Sequence, residues 1–251
     1  MLINNNYGCK HYKRKCKLYC DCCNEIHSCR ICHDEKFEYS EKYHVLDRFN
    51  IKEIICEFCN LKQSKSNNCI KCGIKFGNYF CNICNLYDDD TSKEQFHCEK
   101  CGICRIGGRE NFFHCENCNS CVSNSLKDNH VCIKNSFHNK CPVCFDSVFN
   151  STKPSTVIKC GHVLHLECLN ELLKTGTLSG MRCPLCNKTS IDSQFIFQQL
   201  DNEIENTPMP DDLNYNVKIF CNDCGKCSET KFHIIGHKCQ ECGSYNTRRD
   251  D

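Results

Sequence analysis

Residues 96–121 read FHCEKCGICRIGGRENFFHCENCNSC, and the ladder His-Cys-x2-Cys-x2-Cys starts in it at His97 and again at His114. Two ladders hold eight thiol and imidazole groups, twice what one tetrahedral ion binds. A segment written this way must fold around several ions rather than around a hydrophobic core. The same constraint runs through the whole chain, since 31 of its 251 residues are Cys and 12 are His. Apolar residues make up 40% with Cys counted; without it about 28% remain, too few for one large core. Small modules stapled by metals or disulfides are the alternative.

Disulfides fit poorly. They need an oxidising compartment, and MLINNNYGCKHYKRKCK contains no apolar stretch of signal-peptide length. The cysteine count is odd, and histidines sit inside the cysteine spacings, where a disulfide gains nothing from them. Structural zinc in a reducing compartment, nucleus or cytoplasm, is the expectation, and no run approaches membrane-spanning length. The net charge of +1 gives no global field for nucleic acid, so nucleic-acid contact is not expected. The basic run Lys10, Lys13, Arg14, Lys15 and Lys17 reads as a solvated face around a metal site.

Counting ligands divides the chain. In the first segment, Cys9, His11, Cys29 and Cys32 are expected to hold one ion and Cys22, Cys23, His33 and His44 a second. They interleave because adjacent ligands such as Cys32 and His33 point different ways. Cys56, Cys59, Cys69 and Cys72 make a third site. In the second segment, Cys81 and Cys84, the ladder His97, Cys98, Cys101 and Cys104, the ladder His114, Cys115, Cys118 and Cys121, and the pair His130 and Cys132 fill three sites. Each ladder then lends two ligands backward and two forward; spacing does not say which. Cys141, Cys144, Cys160, His162, His165, Cys168, Cys183 and Cys186 follow. Between them LECLNELLKTG places Leu166, Leu169, Leu172 and Leu173 near one helical face, with Gly176 as a stop. SQFIFQQLDNEIENT predicts an amphipathic helix capped by Ser193 or Asp192, with Phe197, Leu200 and Ile204 on one face. Cys221, Cys224, Cys239 and Cys242 bracket the strand-like runs VKIF and KFHII as in a zinc ribbon. The thirty-six ligands suffice for about nine zinc ions. Cys16, Cys20, Cys227, His27, His138, His233 and His237 are left over, with Cys20 and His237 as alternative ligands.

The order three Cys, two His, three Cys over 141–186 is that of a RING finger of the two-histidine type. A PHD finger has one His and usually a Trp, and this chain has no Trp. CKHY at Cys9, the pairs Cys22-Cys23 and Cys32-His33, and LDRF at Leu46 to Phe49 resemble the CHY-type zinc finger. FHCEKCGICRIG and FFHCENCNSC resemble the CTCHY-type finger. With RING, TPMP, CNDC and SYNT following in order, nearly the whole chain is similar to CHY-zinc-finger and RING-finger E3 ubiquitin ligases. The resemblance implies zinc-stabilised modules, mostly irregular with short β hairpins. They are a CHY finger over 2–75, a CTCHY finger over 76–140, a RING cross-brace with one helix over 141–187, a linker helix over 190–216 and a C-terminal zinc ribbon over 217–251. It also implies alternating RING ligation: Cys141, Cys144, His165 and Cys168 on one zinc, Cys160, His162, Cys183 and Cys186 on the other. The position after the last ligand, where many active RINGs carry Arg or Lys, is Asn187, with Lys188 next.

The function implied is a RING-type ligase that recruits a ubiquitin-charged conjugating enzyme and transfers ubiquitin to lysines of a protein substrate for degradation. Val143 and Leu185 would be exposed apolar contacts to that enzyme, with Pro184 shaping the second loop. No covalent ubiquitin intermediate on this chain is expected, although the basic residues around Cys16 and Cys20 would lower a thiol pKa there. The competing reading is a non-enzymatic zinc scaffold or nucleic-acid-binding regulator.

Overall fold

A computed structural model describes residues 7–250. Residues 2–6 of the expected first module and residue 251 of the expected ribbon lie outside that range. The chain divides into two compact units, one ending at Phe112 and one starting at Phe113, a boundary inside the expected 76–140 segment.

The first unit is built on an antiparallel sheet of four strands in the order β2-β1-β3-β4: β1 (Cys16–Cys20), β2 (Glu25–His27), β3 (Glu53–Cys56) and β4 (Lys62–Ser64). CKLYC alternates as a half-buried strand must, with Cys16, Leu18 and Cys20 facing inward. Leu18 lies opposite His27 on one side and Ile54 on the other. Those inward residues pack with Leu46, Ile51, Ile54, Phe76 and Tyr87 into a core cluster. Cys16 and Cys20 are therefore core residues. Burial pushes both thiols up to about 12, the reverse of the lowering expected from the neighbouring basic run. Arg14 departs from expectation too: it is 1% exposed rather than on a solvated face. Helix α1 (Arg30–Phe37) starts at Cys29, whose thiol accepts from the backbone N–H of Cys32. Two hairpins close the unit, β5 (Tyr79–Cys81) with β6 (Leu86–Asp88) and β7 (Phe96–Cys98) with β8 (Ile103–Arg105).

In the second unit β9 (Phe112–Cys115) pairs with β10 (Ser120–Ser123), and β11 (Ser155–Val157) with β12 (Val163–His165). Helix α2 (Leu166–Leu173) follows directly. Leu169 is buried, Leu172 and Leu173 are partly buried against the core, and Leu166, expected on the same face, is 43% exposed. That core joins Cys118, Val122 and Phe137 to Val148, Val157, Val163 and Leu164, so the second ladder and the RING share one interior. Helix α3 (Gln194–Glu205) begins at Ser193 without a side-chain cap from it; Asp192 accepts from Gln194 N–H at 3.2 Å instead. β13 (Asn216–Cys221), β14 (Cys227–Lys231) and β15 (Thr247–Arg249) form a sheet in the order β14-β13-β15. VKIF lies in β13 as expected. KFHII does not form the second strand, which is CSETK; the chain leaves the sheet after Lys231, where His233 Nε2 donates to the Thr207 carbonyl at 2.8 Å.

One local rule recurs in both units. Asn60, Asn85, Asn119, Asn187, Gly73, Gly102, Gly225 and Gly243 each directly follow a Cys-x2-Cys pair, and their φ values lie between 49° and 73°. The turn that brings two thiols to one point ends in the left-handed region, which Gly and Asn enter most cheaply. Phe145 occupies the corresponding place after Cys144 at φ 62°, strained for a bulky residue.

The placement of the leftover thiols gives a direct test. Under native conditions with zinc retained, an alkylating reagent should modify exposed Cys227 while sparing Cys16 and Cys20, which should react only after unfolding. Rapid native labelling of Cys16, located by peptide mass, would contradict its position in the sheet.

Candidate metal centres and the RING surface

None of the 31 cysteines is in a disulfide. Their side chains nonetheless converge. A tetrahedral zinc with sulfur at about 2.3 Å and nitrogen at about 2.0 Å implies edges of roughly 3.5–3.8 Å. In the first unit His11 Nδ1 lies 3.4 Å from the sulfurs of both Cys29 and Cys32 and 3.9 Å from that of Cys9. His33 Nε2 lies 3.4 Å from Cys22 Sγ and 3.1 Å from His44 Nε2, and Cys23 completes that group. Cys56 meets Cys72 at 3.7 Å and Cys59 meets Cys69 at 3.5 Å. His97 Nδ1 gathers Cys81, Cys84 and Cys104 at 3.5, 3.4 and 3.8 Å. The first and last members of the first ladder thus turn back to the preceding pair.

In the second unit Cys132 lies 3.4 Å from Cys115 and 3.2 Å from Cys118, the middle members of the second ladder. His130, two residues before Cys132, donates from Nδ1 to the Leu126 carbonyl at 2.8 Å, which leaves its buried Nε2 without a hydrogen-bond partner among the described residues. A bare, buried imidazole nitrogen is a metal ligand in waiting. Of the remaining ladder residues, Cys98 and Cys121 are buried in β7 and β10, Cys101 is half-buried in a turn, and His114 lies in β9. Their grouping stays at what the ligand count predicts.

The RING residues fall into two alternating groups. Cys144 meets His165 Nδ1 at 3.3 Å, and Cys168 shares hydrogen bonds with Cys141 and Cys144. His162 Nδ1 meets Cys160 at 3.3 Å and Cys183 at 3.5 Å, with Cys186 hydrogen-bonded to Cys160. Gly161, between Cys160 and His162 at φ +89°, leaves no room for a side chain, since a Cβ there would stand 2.7 Å from the Val131 carbonyl. In the ribbon Cys221 meets Cys242 at 3.6 Å and Cys224 meets Cys239 at 3.7 Å.

The donor chemistry calls for a cation. Thiols this close cannot all ionise alone. The hydrogen bond from Cys29 pulls Cys9 down to about 4, while Cys29 itself is pushed up. Cys183 falls to about 5 beside Cys160 in the same way. A divalent ion replaces the shared proton and lets every sulfur be a thiolate. Around the first two sites the histidines carry outer partners that fix the ligating nitrogen: His11 Nε2 with Glu35 at 3.2 Å, His33 Nδ1 with Asp34 at 3.0 Å, and His44 Nδ1 with the Lys42 carbonyl at 2.7 Å. Of the leftover histidines, His27 contacts Glu25 at 3.1 Å and its Nε2 also lies 3.7 Å from the Cys23 sulfur, while His138 stacks on Phe149 at 4.2 Å. His237 packs on Phe232 at 5.5 Å.

The expected conjugating-enzyme contacts are placed unequally. Leu185 is 55% exposed and Pro184 is exposed beside it. Val143, expected to be exposed, is half-buried and packs against the RING core, because the knuckle between Cys141 and Cys144 folds it inward. Phe145, which the ligand pattern did not single out, is 69% exposed in that loop. A joint that the sequence did not reveal ties the RING to the ribbon. Asp223 Oδ1 accepts from Thr189 N–H at 2.7 Å and from Asn246 Nδ2 at 3.0 Å. Its Oδ2 accepts from Thr189 Oγ1 at 2.7 Å and Ser244 Oγ at 2.6 Å. Asn246 Nδ2 also donates to the Asn187 carbonyl at 2.7 Å. Burial opposes the charge on Asp223, but the bonds from Ser244, Thr189 and Asn246 outweigh it and hold the carboxyl below its ordinary range.

Three family models match the chain. A CHY zinc finger family model matches residues 9–79, a Ring finger domain model matches 139–187 and a Zinc-ribbon model matches 191–248. The E3 ubiquitin-protein ligase RZFP34 of Arabidopsis thaliana is 45% identical over 98% of this chain and 85% of its own length. The E3 ubiquitin-protein ligase SRFP1 of Oryza sativa subsp. japonica is 43% identical over 97% and 91% respectively. The chain belongs to the family of CHY zinc-finger and RING-finger E3 ubiquitin ligases. Several structural zinc ions are its cofactors, and a site closed by four protein ligands leaves no position for a reacting water.

Two measurements follow from this geometry. If all thirty-six expected ligands are used, elemental analysis of fully loaded protein should give close to nine zincs per chain; four or fewer would refute the assignment over residues 9–132. Asp223→Ala should keep the ribbon's zinc, destabilise the joint by about 2–4 kcal/mol and speed exchange of the Thr189 amide hydrogen. Its carboxyl is depressed, so the joint's contribution is complete above the ordinary carboxylate pKa and is lost as pH falls through the lowered native value.

Proposed function

We propose that this ubiquitin transferase recruits a ubiquitin-charged conjugating enzyme to its RING and passes ubiquitin to lysines of a bound protein substrate, marking it for degradation in the nucleus and cytoplasm. The observation that carries the reading is the pair of alternating ligand groups over 141–186, which holds the knuckles of Cys144 and Cys183 in one rigid piece. Exposed Leu185 and Pro184 on the second knuckle supply the apolar contact, and Phe145 on the first adds to it. No helix is long and apolar enough to cross a membrane among the described residues.

The chemistry asked of this chain is proximity. Holding the conjugating enzyme's thioester beside a substrate lysine makes an intermolecular attack effectively intramolecular. The amine attacks the thioester carbonyl, an isopeptide bond forms, and the thiol of the conjugating enzyme leaves. A covalent relay through this chain would need an accessible, activated thiolate. Cys16 and Cys20 are buried with thiols at about 12, and the exposed Cys227 is pushed up by desolvation and by the Asp250 carboxylate beside it. The zinc-holding cysteines have their lone pairs engaged.

Single-turnover discharge from a labelled conjugating enzyme tests both halves. Leu185→Ala should slow discharge at least about fivefold with zinc content unchanged, because a truncated contact at a docking site costs over about 1 kcal/mol. Undiminished discharge across a panel of conjugating enzymes would remove the docking role. The variant Cys16→Ala, Cys20→Ala, Cys227→Ala should stay active; a reducible ubiquitin adduct on the parent chain that this variant lacks would replace proximity with a relay.

A further inference from the structure

The ligand count leaves His27 over, yet the fold places it against a zinc group. It is buried in β2, and its Nε2 stands 3.7 Å from Cys23 Sγ. That matches the edge of roughly 3.5–3.8 Å between two ligands of one tetrahedral zinc. Its ring also meets that of His33 edge-on, with centroids 4.8 Å apart. The group of Cys22, Cys23, His33 and His44 therefore has a fifth donor at its rim, whereas a structural zinc takes four.

The donors are not held alike. His33 is wholly buried in α1, and His27 is fixed by the strand register that sets it opposite Leu18. His44 belongs to the irregular stretch that follows α1, beside exposed Tyr43 and Val45. Its Nδ1 donates to the Lys42 carbonyl of that same stretch, a bond that orients the ring without tying it to a strand or helix. Its ring rests on Phe37 at 4.5 Å, and the next hydrogen-bonded anchor is two residues on, where Leu46 N–H donates to Asp34 at 2.9 Å. Of the imidazoles, His44 is thus the one whose departure disturbs least. His27 is also placed to change partner. Its Nε2 faces Glu25 Oε2 at 3.1 Å, and Lys36 Nζ donates to the same oxygen at 2.6 Å. Glu25 keeps a counter-ion if the imidazole turns to the metal.

We propose that His27 is a reserve ligand of this zinc, taking the fourth position through Nε2 when His44 leaves, so that the ion stays while the stretch around His44 comes off it. The bond from the His27 Nε2 lone pair forms as the bond from His44 breaks. The one proton of the neutral His27 ring then resides on Nδ1. One neutral imidazole replaces another, so the charge of the group is unchanged.

The test uses the full zinc-loaded chain with His44→Ala, His27→Ala and the double variant. Elemental analysis before and after a chelator challenge counts zinc, and long-range proton–nitrogen correlation spectra report which histidine nitrogens are ligated. In the parent, the His27 nitrogens should be unligated. His44→Ala should keep the parent's zinc count, with the His27 Nε2 resonance moved to a ligated position. His27→Ala should also keep the count. The double variant should lose one zinc to the chelator at least about tenfold faster than either single variant. The spectrum of His44→Ala leaves the buried strand untouched, so it decides the matter even if the variants at position 27 fold poorly. Loss of one zinc from folded His44→Ala would overturn the proposal. An unmoved His27 resonance in that variant would do so as well, because something else would then fill the fourth position. Ligated His27 in the parent, or loss of a zinc from folded His27→Ala, would make it an obligatory ligand and equally end its role as a reserve.

Discussion

Thiolates repel one another, and that repulsion is the constraint on which this structure rests. Sulfurs and imidazole nitrogens meet at 3.1 to 3.9 Å in the groups described above, a spacing that is unstable for free thiolates and suits a divalent ion between them. Metal binding of this kind is worth about 10–16 kcal/mol per structural zinc at neutral pH, comparable to the stability of a whole domain. Strands of three to six residues and helices of eight to twelve can then persist with little apolar burial of their own. Ordinary hydrophobic packing survives where two zinc groups lie close, as around Ile54 and Leu18 and again around Leu164 and Val148.

The backbone answers that constraint with one device used repeatedly. A Cys-x2-Cys pair followed by Asn or Gly in the left-handed region aims two sulfurs at one point. Backbone N–H groups then point at the first sulfur, as Cys84 N–H does toward Cys81 at 3.4 Å and Cys72 N–H toward Cys69 at 3.5 Å. The identity of the residue after the pair is therefore a matter of backbone geometry first. This accounts for Asn187: at φ 58° it closes the last RING knuckle, and its carbonyl receives Asn246.

Most of the ligand grouping was legible because metal sites are written in spacing. Interleaving followed from adjacent ligands such as Cys32 and His33, which cannot reach one ion. What escaped was written in alternation and in long-range contact. CKLYC alternates like any half-buried strand, but Cys counted as a ligand masks Cys counted as a hydrophobe, so Cys16 and Cys20 read as spare thiols. Arg14 lay in a basic run and read as solvated, although its neighbours in space come from residues far along the chain. Val143 turned inward because a knuckle has an inside, which spacing does not specify. The Asp223 joint is invisible locally, since its partners Thr189 and Asn246 stand 34 and 23 positions away.

That joint bears on how such a chain can be cut and recombined. A boundary drawn just after Cys186 follows the metal ligands, but it severs Thr189 from Asp223 and strips the Asn187 carbonyl of its donor. The inheritable piece is therefore longer than the cross-brace: a RING transplanted from this chain carries its ribbon with it, or arrives with one knuckle unbuttressed. Lineages that shuffle their modules would be expected to move the two as one cassette, and substitutions at position 223 to be answered at 189 or 246.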